Sequence, residues 1–344
     1  MASDFLTVAT VDYAPQALAT LRSARRTGGH RAHYYFVLDG TPGSLAALRT
    51  LLGGDADWII LFGPDDLTTG REAYLDAFAY FNAFELSCLS KYFAVDHVMR
   101  QSGAADICVY ADADILFFGD LAPVFTEIGE LAGLVTPHQL GPAPDADEVE
   151  HLGLGWLNAG FFCLRRGHPQ MMHILAWLTD RIGRRGFNAP NNGLFVDQVW
   201  LSAAVFSFPN QFRVSPHPGL NVAYWNISER QLSQAGDHFQ ARDKPLLFFH
   251  FSGFEPSRTD SLSKHTPVPV DTGSALDTLC AAYRRALADA AIPGAAALER
   301  IPCSRAPLKR RLELGRDRHG LEPLCPYQSM NILSRIRRKL RRQP

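Results

Sequence analysis

The sequence predicts an α/β fold, a mostly parallel sheet with helices on both faces. Strand-like runs alternate with helical patterns along the first 112 residues, which is the order that βαβ units produce. Of the 344 residues, 47% are hydrophobic, which is enough for a substantial core. The run VYADADILFFG adds a third observation, because it places two carboxylates directly after an apolar strand. Ligands of such sheets bind beyond the carboxyl ends of the strands, so the fold class also predicts where a site lies.

The first half of the chain supplies the alternating elements. Strands are predicted at residues 5–11, 33–39, 58–62 and 107–112. They are rich in β-branched and aromatic residues, and Gly or Asp stands at or just after each carboxyl end. Helices are predicted at residues 15–26, 44–52 and 84–101, where apolar residues recur at helical spacing.

Beyond residue 119 the pattern becomes mixed. Strands are predicted at 131–136, 158–166 and 246–254, with a helix at 169–182. The acidic, Pro/Gly-rich stretch GPAPDADEVEHLGLG is predicted as a loop. From about residue 271 the chain is Ala/Arg-rich and helical in pattern. We therefore predict one domain at 1–270 and a helical C-terminal extension with a basic tail at 271–344.

The charge distribution argues against nucleic-acid binding by the body of the chain. Residues 305–344 carry 12 Lys/Arg and 3 Asp/Glu, whereas the other 304 residues carry 22 and 32. The body therefore lacks the basic footprint of a nucleic-acid partner. The final stretch NILSRIRRKLRRQP has six basic residues, no acid, and apolar residues at helical spacing. It suits an anionic membrane surface, with a solvated tail as the alternative.

The N-terminal MASDFLTVATVDY contains acidic residues and lacks the basic region of a signal peptide. No apolar run approaches the length of a bilayer span. The six cysteines are widely spaced, without CxxC or zinc spacing. We expect a cytoplasmic protein, peripheral on the membrane only if its tail docks there. Neither a GxxxxGK[ST] phosphate loop nor GxGxxG occurs.

Pairs of aspartates spaced one residue apart occur three times: Asp55/Asp57, Asp112/Asp114 and Asp145/Asp147. The first pair precedes a strand, and the last lies in the acidic loop, where it is predicted as solvated surface. Only Asp112 and Asp114 have an apolar strand before them and apolar residues after them. Burying a lone carboxylate is costly, so this pair predicts a cation site. A turn capped by two carboxylates is the alternative.

Carboxylate oxygens suit Mg²⁺ or Mn²⁺, which are commonly shared with substrate phosphates. The motif HFSG places His250 at the end of the last predicted strand, and imidazole is a suitable third ligand. A satisfied core histidine is the alternative. A cation held by Asp112, Asp114 and His250 would neutralise a departing diphosphate.

Four motifs in this order resemble the GT-A glycosyltransferases. They are the DADIL pair, NAG at 158–160, DQ at 197–198 and HFSG at 250–253. Over about residues 5–255 they are most similar to the retaining family-8-type enzymes, which include the lipooligosaccharide galactosyltransferases and glycogenin. The resemblance implies a GT-A fold, a Rossmann-like mixed sheet flanked by helices. It also implies a metal-dependent hexosyltransferase that moves a sugar, with retention, from a UDP-linked donor to a glycan, lipid-linked or protein acceptor.

The resemblance also implies roles for residues of this chain. Asp197 would bond sugar hydroxyls, and Gln198 would lie beneath the anomeric carbon as the second catalytic residue. Lys91 would meet the donor phosphate or sugar, with a surface helix lysine as the alternative. The other implied donor-binding residues lie at strand ends or in the motifs: Ala9, Thr10, Tyr13, Asp112, Ala113, Asn158, Ala159, Gly160, Ser252 and Gly253.

The sequence departs from the family in two places. Val11 and Asp12 make the register ambiguous where the family reads the base, so the base stays open. Pro256 stands where the family places a diphosphate-binding lysine, and Arg258 or Lys264 is predicted to replace it. His138 and the aromatic, amide-rich stretch GLNVAYWNIS are candidates for sugar contacts, with a turn histidine and a core strand as alternatives.

Two other function classes remain open from the sequence. The DADIL motif resembles the nucleophile motif of haloacid-dehalogenase-like phosphatases, which usually stands on the first strand. Here three strand-like runs precede it. The third hypothesis is a non-catalytic nucleotide-sugar-binding protein, because a site that binds the donor does not by itself require that the sugar be transferred.

Overall fold

A computed structural model describes residues 2–236 and 238–322, and it has a mixed central sheet. The strands in chain order are β1 (Ser3–Ala9), β2 (His30–Val37), β3 (Ile59–Phe62), β4 (Ile107–Ala111), β5 (Ile115–Phe117), β6 (Gly133–Pro137), β7 (Leu157–Arg165), β8 (Asn188–Ala189), β9 (Leu194–Phe195), β10 (Phe212–Val214), β11 (Leu232–Ala235), β12 (His238–Ala241), β13 (Lys244–Pro245) and β14 (Phe248–His250). The helices are α1 (Ala14–Thr27), α2 (Pro42–Leu52), α3 (Arg71–Ala77), α4 (Ala83–Arg100), α5 (Ala122–Ile128), α6 (Asp145–Leu154), α7 (Met171–Arg185), α8 (Gln198–Ser207), α9 (Ile227–Arg230), α10 (Ala275–Asp289) and α11 (Leu308–His319).

The central sheet has seven strands in the order β10-β6-β7-β4-β1-β2-β3. Only β7 runs antiparallel to its neighbours β4 and β6, and the other pairings are parallel. The predicted α/β class with a mixed sheet is thus confirmed. The carboxyl ends of β1, β2 and β4 meet at one edge, so residues that follow these strands become neighbours in space.

Apolar layers cover both faces of the sheet, as the predicted alternation requires. On one face α4 and α7 pack against alternate strand residues, including Leu6, Phe36 and Tyr110. On the other face α1 packs against the alternate set, including Phe5, Tyr35 and Val109. This period-two partition of strand side chains is what a sheet buried on both faces produces.

The stretch predicted as an acidic loop forms helix α6 instead, so that prediction was wrong. Pro144 precedes the helix, and three acidic residues occupy its first turn, where carboxylates stabilise the positive end of the helix dipole. Gly155 ends it at φ +102, a conformation that glycine adopts without strain. Asp145 is exposed, as predicted, and Asp147 is half-buried. The proline and glycine residues therefore mark the ends of a helix rather than a continuous loop.

The last predicted strand is also shorter than expected. Only Phe248–His250 is extended, and it pairs antiparallel with β5 rather than joining the main sheet. The chain turns at residues 251–253 because Gly253 has a φ of +69. The stretch GLNVAYWNIS is not a core strand, since it forms turns that lead into α9.

The C-terminal extension packs onto the rest of the chain. Helix α10 contacts α1, and the backbone N–H of Ile301 donates to the carbonyl of Asp39 at 2.8 Å. Arg311 on α11 forms a buried ion pair with Glu85, in the first turn of α4. The predicted division at residue 270 stays a prediction, and the basic tail lies outside the described residues. Within 2–236 and 238–322 no helix is both long and apolar enough to cross a bilayer.

Candidate active site

Asp112 and Asp114 lie in the tight connection between β4 and β5. The N–H of Asp112 donates to the carbonyl of Gly160 at 2.8 Å, which continues the pairing of β4 with β7. The N–H of Ile115 donates back to the carbonyl of Asp112 at 3.2 Å and closes the turn. The two carboxylates are 28% and 30% exposed, so they face the cleft while the strand before them is buried.

His250 reaches this turn because β14 pairs with β5. The register aligns His250 with Ile115, the residue that follows Asp114. Its Nε2 lies 3.1 Å from Oδ1 of Asp114 and 4.0 Å from Oδ2 of Asp112. Side chains separated by more than 130 residues of chain thus converge, which is the arrangement that the metal prediction requires.

The orientation of His250 is set by Asn221, a residue whose role the sequence did not indicate. Nδ1 of His250 lies 3.1 Å from Oδ1 of Asn221, so that nitrogen donates its proton and leaves Nε2 directed at the carboxylates. The amide nitrogen of Asn221 in turn donates to Thr136 at 3.1 Å. Asn221 adopts a φ of +54, which asparagine tolerates better than most residues. The ring of Trp225 also packs edge-on against His250 at 5.2 Å.

The space beside these three side chains fits a hard cation. One ligand atom from each of Asp112, Asp114 and His250 lies within 4.8 Å of the others. A Cβ on Gly160 would come within 2.4 Å of His250 Cε1 and 2.9 Å of Asp112 Oδ2, so only glycine leaves the cluster undistorted. Two carboxylates and one imidazole are a donor set that suits Mn²⁺ or Mg²⁺.

Charge pairing shifts the ionisation of this cluster. Burial opposes charge on both partners, yet the contact with Asp114 outweighs it and raises the pKa of His250 above its ordinary value. For Asp114 burial again acts first, and the neighbouring His250 overcomes it and lowers the pKa of the carboxyl. The contact between Asp114 and His250 therefore favours the charged form of both side chains, and a cation bound there would take up the imidazole in its neutral form.

Lys91 is not a surface lysine, because it is only 4% exposed within α4. Its Nζ lies 3.3 Å from Oδ1 of Asp112 and 3.2 Å from Oδ2 of Asp197, and it donates to the carbonyl of Ala159 at 3.1 Å. Burial disfavours its charge, but the two carboxylates more than compensate and raise the pKa of Lys91. Tyr110 donates its hydroxyl to the same Oδ1 of Asp112, so that oxygen is oriented from inside the protein.

Asp197 and Gln198 stand at the start of α8. The side chain of Asp197 lies in the interior, and that of Gln198 is half-buried. Asp197 is 1% exposed and also accepts from the hydroxyl of Tyr92 at 3.3 Å. Burial raises the pKa of Asp197, although Lys91 opposes the shift. Val196 just before it has a φ of +39, a strained conformation for a β-branched residue that fixes how α8 begins.

The predicted residues of the NAG motif link Gln198 to the aspartates through hydrogen bonds. The amide of Asn158 donates to Oε1 of Gln198 at 3.1 Å, and its oxygen accepts from the N–H of Gly160 at 2.9 Å. The Gln198 amide donates to the carbonyl of Leu154 at 3.2 Å. The side chains of Asn158 and Gln198 thus each make two hydrogen bonds within the protein, which fix their orientation without a ligand.

The residues predicted from the first strand lie at the same edge but differ in exposure. Ala9 is buried, whereas Tyr13 is 51% exposed and lies close enough to Asp114 for that charge to contribute, after burial, to its raised pKa. The carbonyl of Thr10 accepts from Tyr35 at 3.2 Å. Ala113 is buried, and its carbonyl accepts from Thr20 on α1 at 2.7 Å, so its backbone oxygen faces away from the cleft.

The loop after His250 brings Lys264 next to Gly253. The N–H of Lys264 donates to the carbonyl of Gly253 at 2.9 Å, and Ser263 donates to the carbonyl of Ser252 at 2.8 Å. The side chain of Lys264 is exposed, while Arg258 pairs with Glu255 at 3.7 Å. The backbone of Lys264 therefore lies directly against the HFSG turn, whereas Arg258 is engaged with Glu255.

His138 is buried, so the surface-turn alternative for it is wrong. It stacks on His151 of α6 at 4.9 Å and packs edge-on against Trp225 at 5.5 Å. Its Nε2 lies 3.4 Å from the amide nitrogen of Asn158. These contacts place an aromatic cluster, built from residues of the stretch GLNVAYWNIS and of α6, beside the candidate metal ligands.

Comparison with known proteins connects this geometry to a fold. No protein-family model matches the sequence. Among curated proteins, the uncharacterized protein YfnF of Bacillus subtilis (strain 168) is 27% identical over 161 residues, which are 46% of this chain and 52% of that protein. YfnD of the same organism is 26% identical over 164 residues, 46% of this chain and 50% of that protein. The chain spans about half the length of these curated relatives.

The solved structures that resemble the chain are glycosyltransferases. The galactosyltransferase LgtC, in complex with donor and acceptor sugar analogs, matches with a TM-score of 0.53 and 14% identity over 90% of this chain and 99% of LgtC. The apo bifunctional glycosyltransferase WbbM matches with a TM-score of 0.51 and 15% identity over 86% of this chain and 51% of WbbM. The chain has the GT-A fold. The fold that the sequence motifs implied is therefore confirmed.

Proposed function

We propose that this protein transfers a hexose from a UDP-linked donor to a glycan, lipid-linked or protein acceptor, with retention, using Mn²⁺ or Mg²⁺. The observation that carries the proposal is the convergence of Asp112, Asp114 and His250 at the carboxyl edge of a GT-A sheet. A cation there would act as a Lewis acid toward the diphosphate that leaves.

The residues of the chain divide the remaining work. Asp114 and Oδ2 of Asp112 face His250 and supply the open side of the site. Lys91 and Tyr110 hold the other Asp112 oxygen in place. We assign Gln198, whose side-chain oxygen accepts from the Asn158 amide at the start of α8, to the face of the sugar ring. We assign Asp197, the N-cap residue of the same helix, to the sugar hydroxyls on the motif resemblance. Fixed polar groups of this kind stabilise developing charge without reorganisation.

Two properties of the site favour transfer over the other function classes. Asp112 is paired with Lys91, which suits an electrostatic role better than the nucleophile role of a phosphatase aspartate. The DADIL motif follows the fourth strand of the chain, not the first.

The test is a thermal-shift screen of nucleotide sugars with Mn²⁺, followed by a hydrolysis assay on the best donor. We expect a UDP-sugar to raise Tm only when the metal is present. Asp114→Asn removes a ligand from a partly exposed position, so it abolishes that shift and lowers the rate by roughly 10³-fold or more, while the protein stays folded with a somewhat lower Tm because the ion pair with His250 is lost.

Asp145→Asn is the matched control, because that carboxylate is exposed on α6 outside the cluster. Binding of UDP with metal but neither hydrolysis nor transfer would favour a non-catalytic nucleotide-sugar-binding protein. Steady release of phosphate from small phosphoesters, with an aspartyl-phosphate intermediate, would favour the phosphatase.

A further inference from the structure

A second cavity opens at the opposite edge of the sheet, where β2 and β3 begin. Its volume is about 750 Å³, within the range that holds small organic ligands. Strand β2 separates the two edges, and its eight residues span roughly 25 Å at about 3.3 Å per residue. No residue of the proposed transferase site lines this cavity: its wall is built from Arg25, Gly29, His30, Arg31, Ala32, His33, Arg49, Ala56, Asp57, Trp58, Ile59, Ile60 and Leu61.

The polar wall of the cavity is cationic and incompletely paired. Arg31 is neutralised by Asp4 at 3.1 Å. Arg25 and Arg49 form no ion pair with any residue in the part of the chain that the structure describes. Asp57 is the only acidic residue of the wall. The cavity therefore carries excess positive charge in a protein whose body is acidic overall.

Two histidines of the wall have unused hydrogen-bonding capacity. His33 is only 7% exposed, and its Nε2 has no partner among the described residues. Nε2 of His30 is likewise unpartnered, while its Nδ1 lies 2.8 Å from the hydroxyl of Ser3. Burial lowers the pKa of both imidazoles to about 4, so they are neutral at pH 7 and the charge resides on the arginines. Buried polar atoms without partners commonly mark a missing ligand or water.

Trp58 gives the cavity a flat apolar wall. Arg25 lies over its ring at 4.4 Å, and His33 packs edge-on against it at 5.3 Å. The indole N–H donates to Asp55 at 3.1 Å, which holds the ring in place. Guanidinium groups beside a fixed aromatic ring suit a ligand that joins an anionic group to a planar one.

We propose that this cavity is a second binding site for a small organic phosphate or carboxylate, independent of the proposed transferase site. The anionic group would pair with Arg25 and Arg49, and its planar part would lie against the apolar wall residues of β3, because Arg25 already covers the ring of Trp58.

The experiment is calorimetric titration of the full chain with phenyl phosphate, in EDTA so that the metal-binding cluster stays empty. We expect binding to the unchanged protein. The Arg25→Gln/Arg49→Gln double variant should bind at least roughly tenfold more weakly, because charge-assisted hydrogen bonds are lost. Both side chains are exposed, so the variant should unfold at nearly the same Tm. Donor hydrolysis should be unchanged.

Arg26→Gln is the control, since it removes one positive charge, half the charge that the double variant loses, from an exposed position on α1 outside the cavity wall. Equal loss of affinity in this control and in the double variant would overturn the proposal by showing a general charge effect. Absence of phenyl phosphate binding would also overturn it. A third outcome would overturn it as well: the protein binds vesicles that contain phosphatidic acid, the double variant does not, and neither binds phenyl phosphate. That result would show a lipid-surface site rather than a small-molecule site.

Discussion

The two halves of the candidate transferase site hold their carboxylates in different ways. In the inner half, Asp197 is 1% exposed and is neutralised by Lys91 at 3.2 Å. In the outer half, Asp114 is 30% exposed, and its ion-pair partner among the described residues is a titratable imidazole, that of His250. Asp112 belongs to both, with one oxygen on Lys91 and the other facing His250. In the inner half the protein itself supplies the cation, Lys91, that neutralises Asp197. In the outer half the carboxylate of Asp114 is available to a bound cation. Removing one partner should therefore affect stability in the inner half and metal binding in the outer half.

The largest expected effect on stability comes from breaking the inner half. Lys91→Met leaves Asp197 buried without its cation, which should cost about 3–5 kcal/mol of unfolding free energy. Asp197→Asn in the same chain should restore most of this loss, because the amide removes the uncompensated charge. Urea denaturation of the single and double variants measures both effects.

Lys264→Met is the control for Lys91→Met, since its exposed side chain should change the unfolding free energy by less than about 0.5 kcal/mol. If Lys91→Met unfolds at the same urea concentration as the unchanged protein, the inner ion pair is not what holds Asp197 in the interior.

How far the sequence predicted this site depends on how each residue reaches it. Asp112 and Asp114 follow an apolar strand, so local pattern was enough to single them out. Strand alternation also puts Tyr110 on the face of Asp112, a signal that was available but not used. Lys91 sits in the apolar run LSCLSKYFAV, and α4 is buried along most of its length, which explains why a surface lysine was the wrong alternative.

Other parts of the molecule gave no local signal. Asn221 reaches His250 from a turn with no regular periodicity, so only the packing of β14 reveals the pair. Helix α6 was missed because Pro144 and Gly155 resemble loop residues in the sequence, whereas in the fold they bound a helix. The α/β class itself was predictable, since it rests on the alternation of long apolar elements, whereas the GT-A fold was implied by the resemblance of the four motifs.

A smaller effect is expected at Asp39, a buried carboxylate at the same edge that has no cation in hydrogen-bond contact within residues 2–236 and 238–322. Burial is the main cause that raises its pKa to about 6, with Val11 donating its N–H to Oδ1 at 2.9 Å. Because the folded pKa lies above the unfolded value of about 3.9, folding binds the proton more tightly. The favourable contribution of protonated Asp39 to the free energy of unfolding is therefore complete below about pH 4, and it is lost as the pH rises through about 6.

Asp39→Asn keeps an oxygen for Val11 but removes this titration. We expect it to raise the unfolding free energy by about 2–3 kcal/mol at pH 7.5 and to leave it nearly unchanged at pH 4. Urea denaturation at the two pH values measures the difference. An equal effect at both would show that the charge of Asp39 does not oppose folding, in contrast to the neutralised Asp197.

The smallest effect should come from the outer half, through the residue that orients its imidazole. Asn221→Gly removes the acceptor for Nδ1 of His250 while permitting the backbone φ of +54. The ring is then free to turn or to place its proton on Nε2, so Mn²⁺ affinity should fall by roughly 10–100-fold, as losses of such supporting contacts do. Titration followed by the paramagnetic broadening of water protons measures the Mn²⁺ affinity directly.

Asn210→Gly, at a φ of +62 on an exposed turn, controls for the backbone and should bind Mn²⁺ normally. If both variants bind Mn²⁺ with equal affinity, the direction of the His250 ring is set by the strand pairing and by Trp225. The outer half would then not depend on Asn221 for its geometry.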